Sequence, residues 1–456
     1  MEKDNNRAEV SRVQLLRTLE NGETKIFRKR FLDMHFYDQA QFYLSLDEPQ
    51  RQKLYQVLNP HEMGDFFDTI EDDLPQMADL LTEMVPQYAA NLLNDMFDDN
   101  AADILEHLPK EDVNRYLSLM PKPDAIELRK LLHYDTETAG GIMTTDFVSL
   151  SADLSVGQAL AELKREAAEA ETIYYVYLVN SDQLLVGVIT LRDLIVNDNH
   201  TKLTEIMTPN VITASVHDEQ AEVAQKIRDY NFIALPVIDD DEKLVGIITV
   251  DDAIEVIDDE ASSDYSGLAG VDVDDVSENP FKSASKRLPW LITLLFLGMS
   301  TATLINHYES LLSEASILAV FISLITGTAG NAGTQSLAVA VRRLALGNDK
   351  KPKLFKLVFG EILTGVVTGV ITGLTVMVIV GIWKHNLMLG LTIGLAMTAA
   401  ITVANLAGSL IPMLMDKLGF DPAVASGPFI TTLSDLTSVL IYFSIAQLFI
   451  RAFVGG

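Results

Sequence analysis

Residues Phe429–Ile450 read FITTLSDLTSVLIYFSIAQLFI, and Asp435 is the only formally charged residue among them. A helix of ~20 predominantly apolar residues can cross the hydrocarbon of a bilayer, so this stretch predicts a transmembrane helix. A carboxylate inside such a helix costs at least about 2.5–3.5 kcal/mol unless water, a partner or a cation compensates it. We therefore expect Asp435 to have a functional role.

Four similar apolar stretches precede this one, and together they predict five membrane spans. The five stretches cover roughly residues 288–305, 317–345, 355–383, 387–414 and 424–453. Because each supplies the ~20 residues that a span needs, we assign residues 282–456 to a pore domain of five transmembrane helices.

The basic residues of the loops predict the orientation. Three Lys or Arg residues between 282 and 287 precede the first span, and six more lie between 342 and 356. The loop after the first span contains Glu309 and Glu314 but neither Lys nor Arg. The positive-inside rule then places the N-terminal half in the cytoplasm and, after five spans, the C-terminus outside.

Charge is divided unevenly between the two halves of the chain. The first 280 residues hold 22 basic and 57 acidic residues, whereas the remainder holds 12 and 7. An acidic half attracts cations, and the absence of a basic footprint argues against a nucleic-acid partner. The chain has no cysteine, which excludes disulfides, thiolate metal sites and cysteine nucleophiles.

Residues 39–136 read as short amphipathic helices separated by proline dipeptides such as Asn59-Pro60 and Val85-Pro86. The related segments YAANLLNDM and NAADILEHL start twelve residues apart, at Tyr88 and Asn100. These features predict an acidic helical domain, either a small α-solenoid or an ordinary helical domain. Residues 1–38 are assigned to an N-terminal arm, which is either flexible or an extra helix.

The next region contains an internal duplication. LVGVITLRDLI starts at Leu185 and LVGIITVDDAI starts at Leu244, and each copy reads strand, helix, strand, turn, strand, helix. Residues 137–258 resemble a tandem pair of CBS modules, which implies an α/β domain. The resemblance implies adenine-nucleotide binding, while the alternative is a structural pair that only dimerises. The residues that it places at the nucleotide are Arg192, Asp193, Phe232, Leu235, Thr249 and Asp251, with Thr190 and Asp252 beside them.

Acidic residues are dense after the second copy, in the predicted linker helix at residues 259–281. Mutual repulsion there would be relieved by hard cations, for which carboxylates are the preferred ligands. A second acidic cluster lies in FDDNAADIL, where Asp99 and Asp103 are four residues apart and share a helix face. We expect cation sensing at these groups rather than a merely solvated surface.

Two membrane motifs stand out. In TGTAGNAGTQS (residues 326–336), the glycines favour close helix packing, whereas Asn331 either faces a pathway or bonds an adjacent helix. Near the end of the chain, Asp421 precedes Asp435 by 14 residues, or about 21 Å of helix. Asp421 would then mark the cytoplasmic mouth of a pathway and Asp435 its interior.

The order of helical acidic domain, CBS pair, acidic linker helix and five spans, with GTAGNAGTQS and DPAVASGPFITTLSD, resembles the MgtE-type bacterial magnesium channels after about residue 40. The resemblance implies a homodimer in the plasma membrane, with Asp435, Asp421 and Asn331 along a Mg²⁺ pore. It implies closure by Mg²⁺ and modulation by ATP at the CBS pair. The acidic sensor positions are Asp99, Asp103, Asp252, Glu255, Asp258, Asp259, Glu260 and Asp264. The chain departs from the family pattern at Ser323 and Asn231.

Two rival functions differ in what they require of the sequence. A proton- or sodium-coupled divalent-cation transporter would need further titratable residues at mid-membrane, and Asp435 is the main one there. Glu361 in the third span either extends to the interface or pairs with a neighbouring helix.

A membrane-anchored enzyme would need a nucleophile–base pair or a P-loop, and neither pattern occurs. We therefore predict a channel and not an enzyme.

Overall fold

The computed structural model describes residues 12–70, 74–168, 170–273, 279–345, 354–418 and 426–454. The chain divides into two compact units between Ile257 and Asp258. The first unit contains the acidic helical domain and the α/β domain. The second contains the membrane-length helices. Each unit is described by itself.

Short helices form the start of the first unit. They are α1 (residues 12–20), α2 (Thr24–Leu32), α3 (Phe36–Leu44), α4 (Glu48–Leu54), α5 (Pro60–Phe67), α6 (Leu74–Thr82), α7 (Pro86–Asp95), α8 (Asp98–Glu106), α9 (Lys110–Leu119) and α10 (Lys122–Leu131). Pro60 and Pro86 open α5 and α7, because proline is tolerated where the first helical N–H has no partner. Asn59 caps α5 by accepting a hydrogen bond from the Glu62 N–H at 2.9 Å.

These helices stack as a small solenoid. In one layer α3 packs on α5, α5 on α7 and α7 on α9, and in the other α6 packs on α8 and α8 on α10. Residues 12–32, which the sequence left as an arm, join the same core, where Phe27 and Phe31 are fully buried. The Phe31 and Phe66 rings meet edge to face with centroids 5.6 Å apart. Of the two forms expected for the arm, the described part is therefore an extra pair of packed helices.

The duplicated region forms two similar three-stranded sheets. The first copy contains β1 (Phe147–Ser151), α11 (Val156–Glu166), β2 (Thr172–Val179), β3 (Leu185–Thr190) and α12 (Leu191–Val196). The second copy contains α13 (Leu203–Ile206), β4 (Ala214–Ser215), α14 (Gln220–Tyr230), β5 (Ala234–Ile238), β6 (Leu244–Thr249) and α15 (Val250–Ala269). In each sheet the central strand pairs parallel with the first strand and antiparallel with the last.

The segment that precedes each copy packs against the last strand of the other copy. A Cβ added at Gly246 in the second copy would lie 2.6 Å from Sδ of Met143, which precedes the first copy. In the same way, a Cβ at Gly187 in the first copy would lie 2.6 Å from Sδ of Met207. Since no real Cβ fits at that distance, both glycines are needed for this mutual packing.

One continuous helix joins the α/β domain to the predicted linker helix. The sequence placed a break after residue 258, but α15 runs without interruption from Val250 to Ala269. The helix ends at Gly270, whose φ of 68° lies in the left-handed region that glycine adopts readily. The acidic stretch therefore continues the last helix of the second copy.

The second unit is a bundle of long apolar helices. Its helices are α16 (Pro280–His307), α17 (Glu309–Glu314), a 3-10 helix (Ser316–Phe321), α18 (Ile322–Ala345), α19 (Leu354–Trp383), α20 (Leu387–Lys417) and α21 (Gly427–Val454). Five of them are long and apolar enough to span a membrane, in agreement with the five predicted spans. Helix α20 packs against α18, α19 and α21, so it forms the centre of the bundle.

Candidate functional site

Asp435 lies in α21, and its Oδ1 atom is buried without a hydrogen-bond partner in the described part of the chain. The residues flanking it on this helix are largely apolar or hydroxylated, and Ser434 and Ser438 are buried beside it. An unpaired carboxylate oxygen in such surroundings is costly, because nothing replaces the water that it has lost. The Oδ1 atom of Asp435 is therefore an acceptor that no described residue uses.

Glycines of α18 bring that helix close to α21 in the turns just before Asp435. A Cβ added at Gly330 would lie 3.0 Å from Cγ2 of Thr431, and one added at Gly333 would lie 3.0 Å from Oγ of Ser434. The packing role expected for these glycines is confirmed at both positions. Gly327 differs, since a Cβ there would meet nothing within 4 Å.

The other two predicted pore residues have different outcomes. Asn331 is exposed on α18, and its side chain makes no hydrogen bond to an adjacent helix among the described residues. The expected contact of Asn331 with a pathway stays a prediction. Asp421 lies within residues 419–425, outside the described residues.

Glu361 on α19 is surrounded by partners. Its Oε1 atom lies 3.7 Å from Nη1 of Arg343 on α18. Its Oε2 atom accepts hydrogen bonds from Nδ2 of Asn405 at 3.2 Å and from Oγ of Ser336 at 3.4 Å. The alternative in which Glu361 pairs with neighbouring helices is confirmed. Its carboxylate links α18, α19 and α20.

The first unit contains a compact group of carboxylates, which we call the acidic cluster. It consists of Glu171, Asp251 and Asp252, whose carboxylate oxygens lie within 4.8 Å of one another, together with Asp99 and Asp103 of α8. Both α8 residues are near enough to Asp252 for its charge to raise their pKa values. The structure thus brings together three predicted sensor residues, Asp251 from the predicted nucleotide set, and Glu171, which the sequence did not single out.

Burial raises the pKa values of four carboxylates of the acidic cluster, namely Glu171, Asp252, Asp99 and Asp103. Burial, followed by the charges of Asp252 and Asp251, raises the pKa of Glu171 to about 8. Burial, followed by Glu106 and Asp252, raises the pKa of Asp103 to about 7. Burial and the charges of Asp252 and Glu171 raise the pKa of Asp99 well above its usual range. Because like charges repel here, a divalent cation would relieve the cluster, and buried carboxylates are suitable ligands for one.

Glu171 supplies an unsatisfied atom to the cluster. Its Oε2 is buried without a hydrogen-bond partner in the described residues. The duplication gives no warning of this role, because the residue 59 positions later is Tyr230. Glu171 stands directly before β2, so only the path of the chain brings it beside the start of α15.

The cluster sits where the solenoid meets the α/β domain. The backbone N–H of Asp98 donates to Oδ2 of Asp146 at 3.0 Å, and the hydroxyl of Thr145 donates to the carboxylate of Asp98. These bonds join the first turn of α8 to the segment before β1. A cation bound between Asp99 and Asp252 would therefore bridge two parts of the first unit.

The predicted ribose contacts are occupied by local hydrogen bonds. Oδ2 of Asp193 accepts from the N–H and the hydroxyl of Thr190 at 2.8 and 2.6 Å. Oδ2 of Asp252 accepts from Thr249 at the same two distances. Each aspartate thus stabilises the start of a helix and keeps only Oδ1 for another ligand.

The remaining predicted nucleotide residues are dispersed. Phe232 stacks on the exposed Tyr230 ring with centroids 5.4 Å apart and planes 8° apart. Arg192 is exposed on α12, whereas Leu235 is completely buried in the core. Leu235 can support the cleft from beneath but has no accessible side chain to offer a base.

The other predicted sensor residues lie along α15. Asp258, Asp259 and Glu260 are exposed, while Glu255 and Asp264 are half-buried. The last turn of α15 packs within the second unit, where Leu268 contacts the buried core of Leu337, Val341 and Ile430. A Cβ at Gly427, in the first turn of α21, would lie 2.9 Å from the Leu268 carbonyl oxygen. The end of α15 is thus fitted closely to the start of the helix that carries Asp435.

Three family models match separate parts of the chain. The divalent cation transporter family MgtE matches residues 322–445, the MgtE intracellular N domain matches residues 34–137, and the CBS domain matches residues 139–198 and 203–259. These ranges follow the membrane helices, the solenoid and the duplicated sheets.

Curated and solved relatives agree with those matches. The magnesium transporter MgtE of Enterococcus faecalis is 65% identical over 440 residues, which cover 96% of this chain and 97% of that protein. A crystal structure of the soluble part of a magnesium transporter is 53% identical with a TM-score of 0.54, covering 56% of this chain and 99% of that one. A crystal structure of the cytosolic domain of the Mg²⁺ channel MgtE in complex with ATP is 33% identical with a TM-score of 0.50, covering 54% and 99%.

Proposed function

The chain belongs to the MgtE family of magnesium transporters, and from this premise we propose that it is a homodimeric channel that conducts hydrated Mg²⁺. The family transports magnesium and is not a family of enzymes. Its five candidate spans make the chain a membrane protein. The distribution of basic residues supports a plasma-membrane topology with the N-terminus in the cytoplasm and the C-terminus outside.

The observation that carries this proposal is the unpartnered, buried Oδ1 of Asp435 in a membrane-length helix. Mg²⁺ loses its water reluctantly and usually keeps several waters when one or two carboxylates bind it. Asp435 would accept hydrogen bonds from that water shell, so the ion could pass without complete dehydration. A ring of carboxylates gives cation selectivity in the same way in other channels.

A second copy of the chain would complete the pathway. One Asp435 supplies a single negative charge, and a twofold axis would place a second one opposite it. The exposed Asn331 supports this arrangement, because an amide facing lipid would lose its hydrogen bonds with water. We propose that Asn331 lines the pathway between the two copies and that Asp421 lies nearer its cytoplasmic mouth.

We propose that cytoplasmic Mg²⁺ closes the channel through the acidic cluster. Without the ion, repulsion between Asp99, Glu171 and Asp252 would loosen the first unit. With the ion, the same groups would be bridged, and Asp103 and Asp251 would complete the ligand shell. The acidic residues farther along α15 would add weaker sites, namely Glu255, Asp258, Asp259, Glu260 and Asp264. Several such sites could supply the ~5.5 kcal/mol of differential binding that moves a gate from 1:99 to 99:1.

Helix α15 would convey this change to the pathway. It carries Asp252 in its first turn and Leu268 in its last, and Leu268 packs beside Ile430 of α21. We propose that the close fit between Leu268 and Gly427 belongs to the closed state. Loosening of α15 would remove Leu268 from the start of α21.

ATP is proposed as a modulator at the CBS pair. The support is the relative whose cytosolic domain was crystallised with ATP, at 33% identity. In this chain the exposed Arg192 would meet phosphate, and the stacked Tyr230 and Phe232 would offer an aromatic surface to adenine. Oδ1 of Asp193 remains for the ribose, and Thr249 would lie beside it.

Magnesium flux into proteoliposomes tests the proposal. The purified full-length chain and the Asp435→Asn variant are compared with Mg²⁺ low or high on the side of the acidic domains. We expect flux in the parent protein that falls at high Mg²⁺, and almost none in Asp435→Asn. The matched control is Glu314→Gln, which neutralises an exposed carboxylate of the same unit and should leave flux unchanged.

Two results would contradict the channel. Intact flux in Asp435→Asn would remove this residue from the pathway. Flux that requires an imposed proton or sodium gradient would instead identify a coupled transporter. Loss of inhibition by Mg²⁺ with flux retained would leave the pore in place and reject only the sensor.

A further inference from the structure

The N-terminal end of α16 carries an open groove of about 400 Å³ on one face of the helix. Its lining residues are Pro280, Ser283, Ala284, Arg287, Leu288 and Leu291. They recur every three or four positions and so form a single stripe. The stripe is polar or small from Pro280 to Arg287 and apolar at Leu288 and Leu291. The groove is therefore amphipathic along the helix axis.

The depth of this groove in a membrane follows from helix length. Helix α16 contains 28 residues, of which ~20 suffice to cross the hydrocarbon. Counting back from His307, the apolar portion begins near Leu288, so Arg287 lies at the boundary and Pro280–Lys286 lie among the lipid headgroups. Arg287 is then level with lipid phosphates, whereas Leu288 and Leu291 are level with the start of the acyl chains.

The surroundings of Arg287 favour an anionic occupant. Arg287 is exposed and has no ion-pair partner in the described part of the chain, even though the protein carries a net charge of −30. Lys282 is exposed one and a half turns before it. Leu288, Leu291 and Leu295 are 50%, 57% and 64% exposed along the continuation of the stripe. One face of α16 thus offers a basic side chain to a lipid headgroup and apolar side chains to an acyl chain.

We propose that this stripe of α16 is a binding site for an anionic phospholipid, whose phosphate contacts Arg287 and whose acyl chain lies over Leu288 and Leu291. Basic residues beside a membrane helix attract anionic lipid in general. Here the groove adds apolar side chains directly beside the basic one, which an open basic loop would not. The site uses residues of α16 only, none of which belongs to the proposed pathway or sensor, so it does not depend on the proposed channel mechanism.

Fluorescence quenching by brominated lipids tests the site. The chain has two tryptophans, Trp290 and Trp383, so Trp383→Phe leaves Trp290, one helical turn from Arg287, as the only indole. The full-length Trp383→Phe protein is placed in mixed vesicles in which either phosphatidylglycerol or phosphatidylcholine carries the bromine. We expect phosphatidylglycerol to be preferred about fivefold near Trp290, which corresponds to the ~1 kcal/mol that one basic residue contributes at a membrane surface.

Variants of Arg287 in the same background give the decisive results. Arg287→Gln should abolish the preference, and Arg287→Lys, which keeps the charge, should retain most of it. Lys384→Gln removes a basic residue beside another span and should change nothing. Equal quenching by the two lipids in the parent, or a preference that survives Arg287→Gln, would overturn the proposal. Failure of both lipids to quench Trp290 would also overturn it, since a second copy of the chain would then cover this face.

Discussion

The surroundings of Asp435 on α21 and of Glu361 on α19 differ sharply within one helical bundle. Glu361 has Arg343, Asn405 and Ser336 around its two oxygens. Asp435 has a buried oxygen with no hydrogen-bond partner in the described part of the chain. Both residues are carboxylates in membrane-length helices, so composition alone would rank them equally. The difference in partners indicates that Glu361 holds helices together, and it motivates the proposal that Asp435 binds a passing ion.

The acidic cluster extends this comparison to the first unit. Glu171 resembles Asp435 in having a buried oxygen without a partner among the described residues, but it lies among other carboxylates. Asp252 resembles Glu361 in part, because Thr249 occupies one of its oxygens. We therefore expect the unpartnered oxygens to mark contacts with ions and the partnered ones to support structure.

The largest effect should appear in Mg²⁺ flux. Asp435→Asn should lower flux by about a hundredfold or more. Each ~1.4 kcal/mol of lost ion stabilisation lowers flux tenfold, and removing the carboxylate should cost at least about twice that energy. Glu361→Gln, which keeps an acceptor and the size of the side chain, should lower flux by less than about threefold. Proteoliposome flux, normalised to folded protein, measures both. Equal losses in the two variants would remove the distinction between these carboxylates.

The next effect concerns inhibition by Mg²⁺. Glu171→Gln and Asp99→Asn should each raise the half-inhibitory Mg²⁺ concentration by about tenfold, since each removes one charged ligand, worth ~1.4 kcal/mol. Maximal flux at low Mg²⁺ should be unchanged. Glu166→Gln, at an exposed position in the same domain, is the matched control. A midpoint that stays constant in both variants would exclude the acidic cluster as the sensor.

Substitutions at the same two carboxylates should affect stability in the reverse order, with the larger loss of stability at Glu361. Glu361→Ala leaves Arg343 and Asn405 without their partner, so it should lower the free energy of unfolding by ~1–3 kcal/mol. Asp435→Asn removes an uncompensated charge and should maintain or raise the melting temperature. Thermal unfolding of the full-length chain in detergent compares the two variants. A melting temperature that falls more in Asp435→Asn than in Glu361→Ala would show that Asp435 has a structural partner after all.

The smallest effect is a pH dependence without Mg²⁺. The pKa of Glu171 is raised to about 8 and that of Asp103 to about 7, whereas unfolded carboxylic acids titrate near about 4. Between these values the folded chain binds more protons than the unfolded chain at these two groups, so the stability that they contribute is complete below pH ~4 and is lost as the pH rises towards 7 to 8. Melting temperatures of the full-length protein in chelator, measured from pH 5 to about pH 8, should therefore decrease by several degrees.

Saturating Mg²⁺ is the control for this titration. The ion should replace the protons, so its stabilising effect should be larger at pH 8 than at pH 6. Glu171→Gln should flatten the metal-free profile, because it removes the carboxyl group whose pKa burial raises to about 8. A profile that rises with pH in the absence of Mg²⁺ would contradict the repulsion assigned to the cluster.

Much of the architecture was predictable because its signals are local. Apolar length identified the five spans, and the repeat of LVGVITLRDLI as LVGIITVDDAI identified the paired sheets. Proline punctuation located the starts of α5 and α7. The membership of residues 12–32 in the solenoid was not predictable to the same degree, because it depends on Phe27 and Phe31 finding a core built by later helices.

The sequence alone determined that Asp435 lies within a membrane-length apolar helix and that the first 280 residues are strongly acidic, because both facts follow from residue order. Only the tertiary structure decided which carboxylates lack partners. Glu171 reaches Asp252 across 81 residues, and Glu361 reaches Asn405 across 44. Such contacts depend on how distant segments pack, and no local pattern of apolar and charged residues encodes them.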